Sequence, residues 1–162
     1  YDIKARDKMH RASCLAGMAF SLVNLGLNHG IAHALGAIFH IPHGRANALV
    51  LPHVIYFNAD MDREAAKHSN DSAKKYQKLA RIVGLPAPTV KVGVSNLISE
   101  INRLLKYMDR PMCITECGVT LEEFEANRDE IVRRALADAC TQANPRKVTA
   151  DDVNKILDHI AK

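Results

Sequence analysis

Tryptophan is absent and aromatic residues make up only 5% of the 162-residue chain, which leaves little material for stacking on nucleic-acid bases. Charge does not make up for that. The 22 lysines and arginines are interspersed with 18 acidic residues for a net charge of +4. Short basic pairs such as Lys74-Lys75 and Arg133-Arg134 are too sparse for a nucleic-acid footprint. No apolar run is long enough to cross a bilayer, and the chain opens at Tyr1-Asp-Ile-Lys with neither an initiator methionine nor a secretory signal. Nucleic acid and membrane are therefore not expected partners, and the cytoplasm is the expected compartment. The four cysteines, Cys14, Cys113, Cys117 and Cys140, fall short of a disulfide framework and read as small buried hydrophobes in a reducing compartment. Cys113 and Cys117 would form a metal pair only by sharing a helix. The eight glycines are scattered, with no G-x-G-x-x-G after a strand pattern, so this chain carries no phosphate cradle of that kind.

What is present is an ordinary globular composition of one-domain size, with 48% hydrophobic and 25% charged residues. Apolar positions recur at helical spacing almost throughout. A long helix from about Lys4 to Leu25 carries Met9, Ala12, Ala16, Ala19 and Val23 as one stripe, and its small residues predict close helix–helix packing. A second helix covers Asn28 to Phe39 and breaks at Pro42 and Gly44. From Arg45 to Phe57 the chain is apolar nearly all round, predicting a buried helix bent near Pro52. A strand over Leu49 to Tyr56 competes, but Pro52 argues against it. Residues 60–70 read as an exposed connection or short helix. Asp71 or Ser72 can cap a helix burying Ala73, Tyr76, Ala80 and Val83, ended by Gly84 and Pro86. Leu97, Ile101, Leu104 and Met108 mark another. Thr120-x-x-Glu123 opens a helix with Leu121, Phe124, Ile131, Ala135 and Ala139 inward, stopped at Asn144-Pro145. Thr149 and Asp152 start the last, burying Val153, Ile156, Leu157 and Ile160. No period-2 segment or internal repeat appears. The expected fold is all-α and bundle-like.

Of the eight histidines, His29, His33 and His43 lie within fifteen residues, with His40 between the last two. Residues four apart share a helix face, so His29 and His33 can point into one cavity, with His43 approaching from the turn. Imidazole is both a metal ligand and a proton carrier. Spacing alone leaves two readings open, a metal-assisted site and histidines of purely structural role.

The run Gly26-Leu-Asn-His29-Gly-Ile-Ala-His33-Ala-Leu-Gly36, continued by Phe39-His-Ile-Pro-His43-Gly44-Arg-Ala-Asn47-Ala-Leu, resembles without a gap the signature of the iron-containing (group III) alcohol dehydrogenases. Ala16-Gly-Met-Ala-Phe20-Ser upstream fits it, as do Leu51-Pro-His-Val-Ile-Tyr-Phe-Asn58 and Asn144-Pro-Arg146 downstream. The similarity covers nearly the whole chain and is looser from about Asp60 to Val119. It is strongest to the branch of ethanol and propanol dehydrogenases and of bifunctional aldehyde-alcohol dehydrogenases. Members of this family carry an N-terminal nucleotide-binding α/β domain with a Gly-Gly-Gly-Ser loop, and a metal-binding helix with an Asp and a His four apart. Neither feature occurs here. The resemblance implies that residues 1–162 are a fragment, the C-terminal helical domain of a larger homo-oligomeric enzyme.

By that resemblance His29 and His43 match metal ligands, and His33 matches a histidine beside the site, near substrate and nicotinamide. Spacing by itself would have paired His29 with His33. Phe20 matches a position lining the substrate channel, with a plain core aromatic as the competing reading. Asn28 and Asn47 orient the ligand helix or satisfy its backbone. The implied metal is Fe(II), for which Zn(II) competes. NAD or NADP is the implied cofactor, held mainly by the domain outside this chain, and the implied substrate is a small alcohol or aldehyde. Association with a bacterial microcompartment stays open. The other histidines are expected outside the site: His68 and His159 solvated, His10 on a helix face, His40 on another side of the turn and His53 hydrogen-bonded in the core. Alone, the fragment is expected to be inactive, to hold metal weakly, and to self-associate through apolar surface near Leu27, Ile31 and Phe39. Two rivals remain. A hydrolase needs the Glu of H-E-x-x-H, and Gly-Ile-Ala stands between His29 and His33 instead. A nonenzymatic helical interaction domain with structural histidines would not need three convergent imidazoles.

Overall fold

The computed structural model describes residues 2–62 and 70–161. Among them no strand occurs, and the fold is all-α. Among the described residues the helices are α1 (Ile3–Val23), α2 (Leu27–Phe39), α3 (His43–Asn58), α4 (Asp71–Ile82), α5 (Val90–Tyr107), α6 (Leu121–Ala126), α7 (Arg128–Ala137), α8 (Ala139–Gln142) and α9 (Ala150–Ile160), with a 3-10 turn at Thr115–Cys117. No single helix among the described residues is long and apolar enough to cross a membrane.

α2 is the spine of the core. Leu27, Ile31 and Leu35 recur every four residues and are fully buried, so one face of α2 packs on α3 and the other on α7. Phe124, Ile131 and Ala135 close over it from α6 and α7, and Val153, Ile156, Leu157 and Ile160 from α9. Each large aliphatic side chain so buried contributes about 1.5 to 3 kcal/mol. A smaller cluster joins Ile55 and Ala59 to Ala73 and Val94, with Tyr76, Ile98 and Ile101 packed against it. A reciprocal amide pair crosses the core: Asn144 Nδ2 donates to Asn58 Oδ1 (2.8 Å), and Asn58 Nδ2 donates to Asn144 Oδ1 (3.3 Å). The same Asn144 oxygen accepts from the Leu27 amide (3.2 Å), which satisfies one of the orphan donors at the start of α2.

Several expectations change. α1 buries none of its residues, and Met9 and Val23 on its stripe are 70% and 73% exposed. Small residues permit close packing but do not supply the opposing surface. Leu27 and Ile31 are inside rather than on an apolar surface, because α7 covers them. Asn70, not Asp71 or Ser72, caps α4 by accepting from the Ala73 amide. Val83 lies past the last turn of α4 and is exposed. In α5 the buried face is Gly93, Val94 and Leu105, and Leu104 and Met108 turn outward. The helix expected from Thr120 onward divides at Asn127 and again at Asp138, which leaves Leu121 and Ala139 exposed. As expected, the stretch around Pro52 is a helix and not a strand. Both capping boxes form as expected, at Thr120–Glu123 and Thr149–Asp152.

Candidate metal centre

The chain turns through 108° between α1 and α2, and α2 then starts at Leu27, with His29 and His33 one turn apart on the edge of its exposed side. The C-terminal end of α2 is closed by His40 in the left-handed region (φ 56°). The chain reverses through Ile41 and Pro42, and α3 begins at His43 itself. The reversal is tight: a β-carbon on Gly36 would lie 3.3 Å from the Ile41 carbonyl oxygen. The first residue of α3 is thereby returned beside the first two turns of α2.

The three imidazoles form a triangle. Ring centres are 5.8 Å apart for His29 and His33, 5.2 Å for His29 and His43, and 5.3 Å for His33 and His43. With metal–nitrogen bonds of about 2.1 Å, two imidazoles sharing one cation have ring centres roughly 4.5 to 6 Å apart. The donor chemistry fits a divalent first-row cation, and ring-centre spacing does not select a ligand pair, but the ligating atoms of the three histidines are not all within 4.8 Å of one another. Burial first, then the neighbouring His43 and His33, push the His29 imidazole below its ordinary pKa, with Asp138 opposing. That favours the neutral form, the one able to ligate.

Hydrogen bonds aim two of the rings. Asn28 Nδ2 donates to Asn47 Oδ1 (2.7 Å). Asn47 Nδ2 reaches the His43 carbonyl oxygen (3.0 Å) and lies 3.1 Å from His43 Nε2. Asn28 thus bridges α2 to α3, and Asn47 satisfies a backbone carbonyl at the head of α3, one of the two roles expected of this pair. On the other side, His33 Nδ1 lies 2.9 Å from Asp138 Oδ2. Burial raises the Asp138 pKa, but hydrogen bonds from His33 and the Cys140 amide outweigh it and hold the carboxyl below its usual range. The donor atoms of His33, Asp138 and Cys140 lie within 4.8 Å of one another. There burial and Asp138 push the Cys140 thiol up, away from the thiolate a metal would need. A cavity of about 280 Å³ beside this pair is lined by His33, Asp138, Arg133 and Arg134. Sequence reading missed Asp138 and Cys140 because it ran one helix through them. The available signal was Asp138 as an N-cap, where aspartate is strongly preferred.

Phe20 lies in the last turn of α1, 46% exposed, and ring contacts among the described residues join the three histidines to each other and not to Phe20. His10 and His40 are exposed and outside the cluster. His53 is held by stacking rather than by a hydrogen bond: its ring lies parallel to that of His159, with centres 5.3 Å apart. His159 is exposed, as expected. His68 falls outside the described residues. Cys14 is exposed, so it is not a buried hydrophobe, while Cys113, Cys117 and Cys140 are half-buried and free.

Residues 1–161 match the family profile described as Fe-containing alcohol dehydrogenase family, C-terminal. The chain is 43% identical over 157 residues to an NADPH-dependent butanol dehydrogenase of Clostridium saccharobutylicum, covering 97% of this chain and 38% of that protein. It is 41% identical over 160 residues to a 1-propanol dehydrogenase of Salmonella typhimurium, covering 98% of this chain and 41% of that one. Among solved structures, an alcohol dehydrogenase from Oenococcus oeni superposes with a TM-score of 0.84 at 32% identity, over 98% of this chain and 38% of that chain. The chain therefore spans about two fifths of the length of these two curated relatives.

Proposed function

The chain belongs to the iron-containing alcohol dehydrogenase family as its C-terminal helical domain, and on that premise we propose that the full-length protein interconverts short primary alcohols and their aldehydes with NAD or NADP. The observation that carries this reading is the triangle of His29, His33 and His43, with every ring separation under 6 Å. In this reading His29 and His43 hold Fe(II), for which Zn(II) competes, and the remaining donors and most nicotinamide contacts come from outside this chain. When bound, the cation supplies Lewis-acid stabilisation of negative charge on the reacting oxygen, of the alcohol in one direction and of the aldehyde in the other.

The chain's own residues supply the rest. Burial keeps His29 neutral, so its lone pair is available near neutral pH. The Asn28–Asn47 bridge restrains His43 at the head of α3. His33 stays out of the ligand set and accepts the alcohol proton as hydride leaves for the nicotinamide, then returns it in aldehyde reduction. Phe20 is assigned to the substrate channel and the protein to a homo-oligomer of the cytoplasm. The 162-residue chain alone is proposed to be inactive, since two ligands hold a cation far more weakly than a complete set. Assaying the metal-loaded full-length protein with C2 to C4 alcohols and both cofactors tests the reading. Alcohol-dependent nicotinamide reduction is the expected result, and its absence across the panel rejects the assignment.

A further inference from the structure

Asp138 meets His33 from 105 residues away in sequence, and its carboxylate is fixed at both oxygens. Oδ1 accepts from the Cys140 amide at 2.8 Å as the N-cap of α8, while Oδ2 faces His33 Nδ1 at 2.9 Å. The side chains are 20% and 41% exposed respectively, so the contact is partly shielded. An ionised carboxylate only accepts hydrogen bonds, and two N–H donors on one carboxylate favour the ionised form. The ring proton of neutral His33 therefore sits on Nδ1, leaving the lone pair on Nε2. α8 is only four residues long, yet Thr141 holds it against α2 at Gly30, one turn before His33. The carboxylate and the ring are thereby anchored to the same stretch of α2.

We propose that Asp138 is a positioning residue for His33, fixing the Nδ1–H tautomer and ring orientation so that Nε2 serves as the proton acceptor for the alcohol and donor for the aldehyde. This rests on the reading above that His33 moves the proton and is not a metal ligand. A carboxylate on the far nitrogen of a metal-bound histidine has the same local geometry, so the test must separate the two roles.

Asp138→Asn in the full-length protein does so. Asparagine caps a helix as well as aspartate, so α8 keeps its start. The amide also presents N–H where Oδ2 accepted, which drives Nδ1 to become the acceptor. The expected result is a kcat about 10² to 10⁴-fold lower with KM, metal content and thermal midpoint near wild type. In a His33→Ala background the same change should lower kcat by less than about threefold, because the group it acts through is gone. Imidazole ¹⁵N shifts of the metal-free full-length protein at pH 8 should report Nδ1–H for His33 in the wild type and Nε2–H in Asp138→Asn. Wild-type kcat in the variant overturns the proposal, as does Nε2–H in the wild type. A metal affinity reduced 10 to 100-fold, the mark of a group supporting a ligand, also overturns it. Lack of turnover in the wild type would defeat the dehydrogenase reading instead, and the ¹⁵N shifts would still decide the tautomer.

Discussion

The side-chain oxygen of Thr141 occupies the place that a β-carbon on Gly30 would take. The Ala135 carbonyl oxygen stands 3.0 Å from the same point. Gly30 is therefore the position through which α7 and α8 come close to the histidine helix. Thr141 is itself 6% exposed, and its hydroxyl has no hydrogen-bond partner among the described residues, so packing holds the side chain while backbone bonds to Asp138 and from Asn144 hold the turn.

Gly30→Ala should destabilise the protein by about 1 to 3 kcal/mol, the usual range for overpacking a filled core. Alanine's higher helix propensity, about 1 kcal/mol, offsets only part of that. Equilibrium urea unfolding of the full-length variant measures the net change. Because α8 begins at Asp138, the variant should also lose turnover beyond what its folded fraction explains.

Variants of the three histidines should separate by metal content. His29→Ala and His43→Ala each remove a proposed ligand, and metal analysis of the purified full-length proteins should show most of the metal gone. His33→Ala should retain it and lose turnover. If His33→Ala sheds metal as fully as His29→Ala, the ligand pair is the one that helix spacing alone suggests.

Stability should fall with acid through His53. Burial first, then the neighbouring His159, lower its folded pKa from 6.5 to about 4. Between those values the unfolded chain binds a proton that the folded chain refuses, so stability rises with pH across the window. It is fully present above pH 6.5 and is lost as pH falls toward 4. Replacing the imidazole by a ring that cannot titrate, in His53→Phe, should flatten this part of the profile of thermal midpoint against pH. An unchanged slope in His53→Phe would assign the acid sensitivity to other groups.

Legibility in the sequence followed how local the determining physics was. Thr120–Glu123 and Thr149–Asp152 were readable because a capping box is settled within four residues. All four apolar residues assigned to the last helix are buried, because its polar and apolar faces do not overlap. α5 was harder: Val94, Leu97, Ile98, Ile101, Leu104, Leu105 and Met108 span two faces, and the partner chooses between them. That partner is α4, approached so closely that a β-carbon on Gly93 would lie 2.8 Å from Gln77 Cγ. The site divided in the same way. His29, His33 and His43 were found by a contiguous run, whereas Asp138 required knowing that the chain breaks after Ala137 and returns to α2.

The distance in sequence between the histidine helix and its supports has a consequence for synthesis. Leu27 waits for Asn144, 117 residues later, and His33 for Asp138, 105 residues later. At about 5 to 20 residues per second on the ribosome, α2 is made roughly 5 to 20 s before the groups that cover it. Throughout that interval Leu27, Ile31 and Leu35 lack α7, and His33 lacks the carboxylate that aims its ring. The nascent segment is thus apolar and uncovered for seconds, which suits capture by a chaperone.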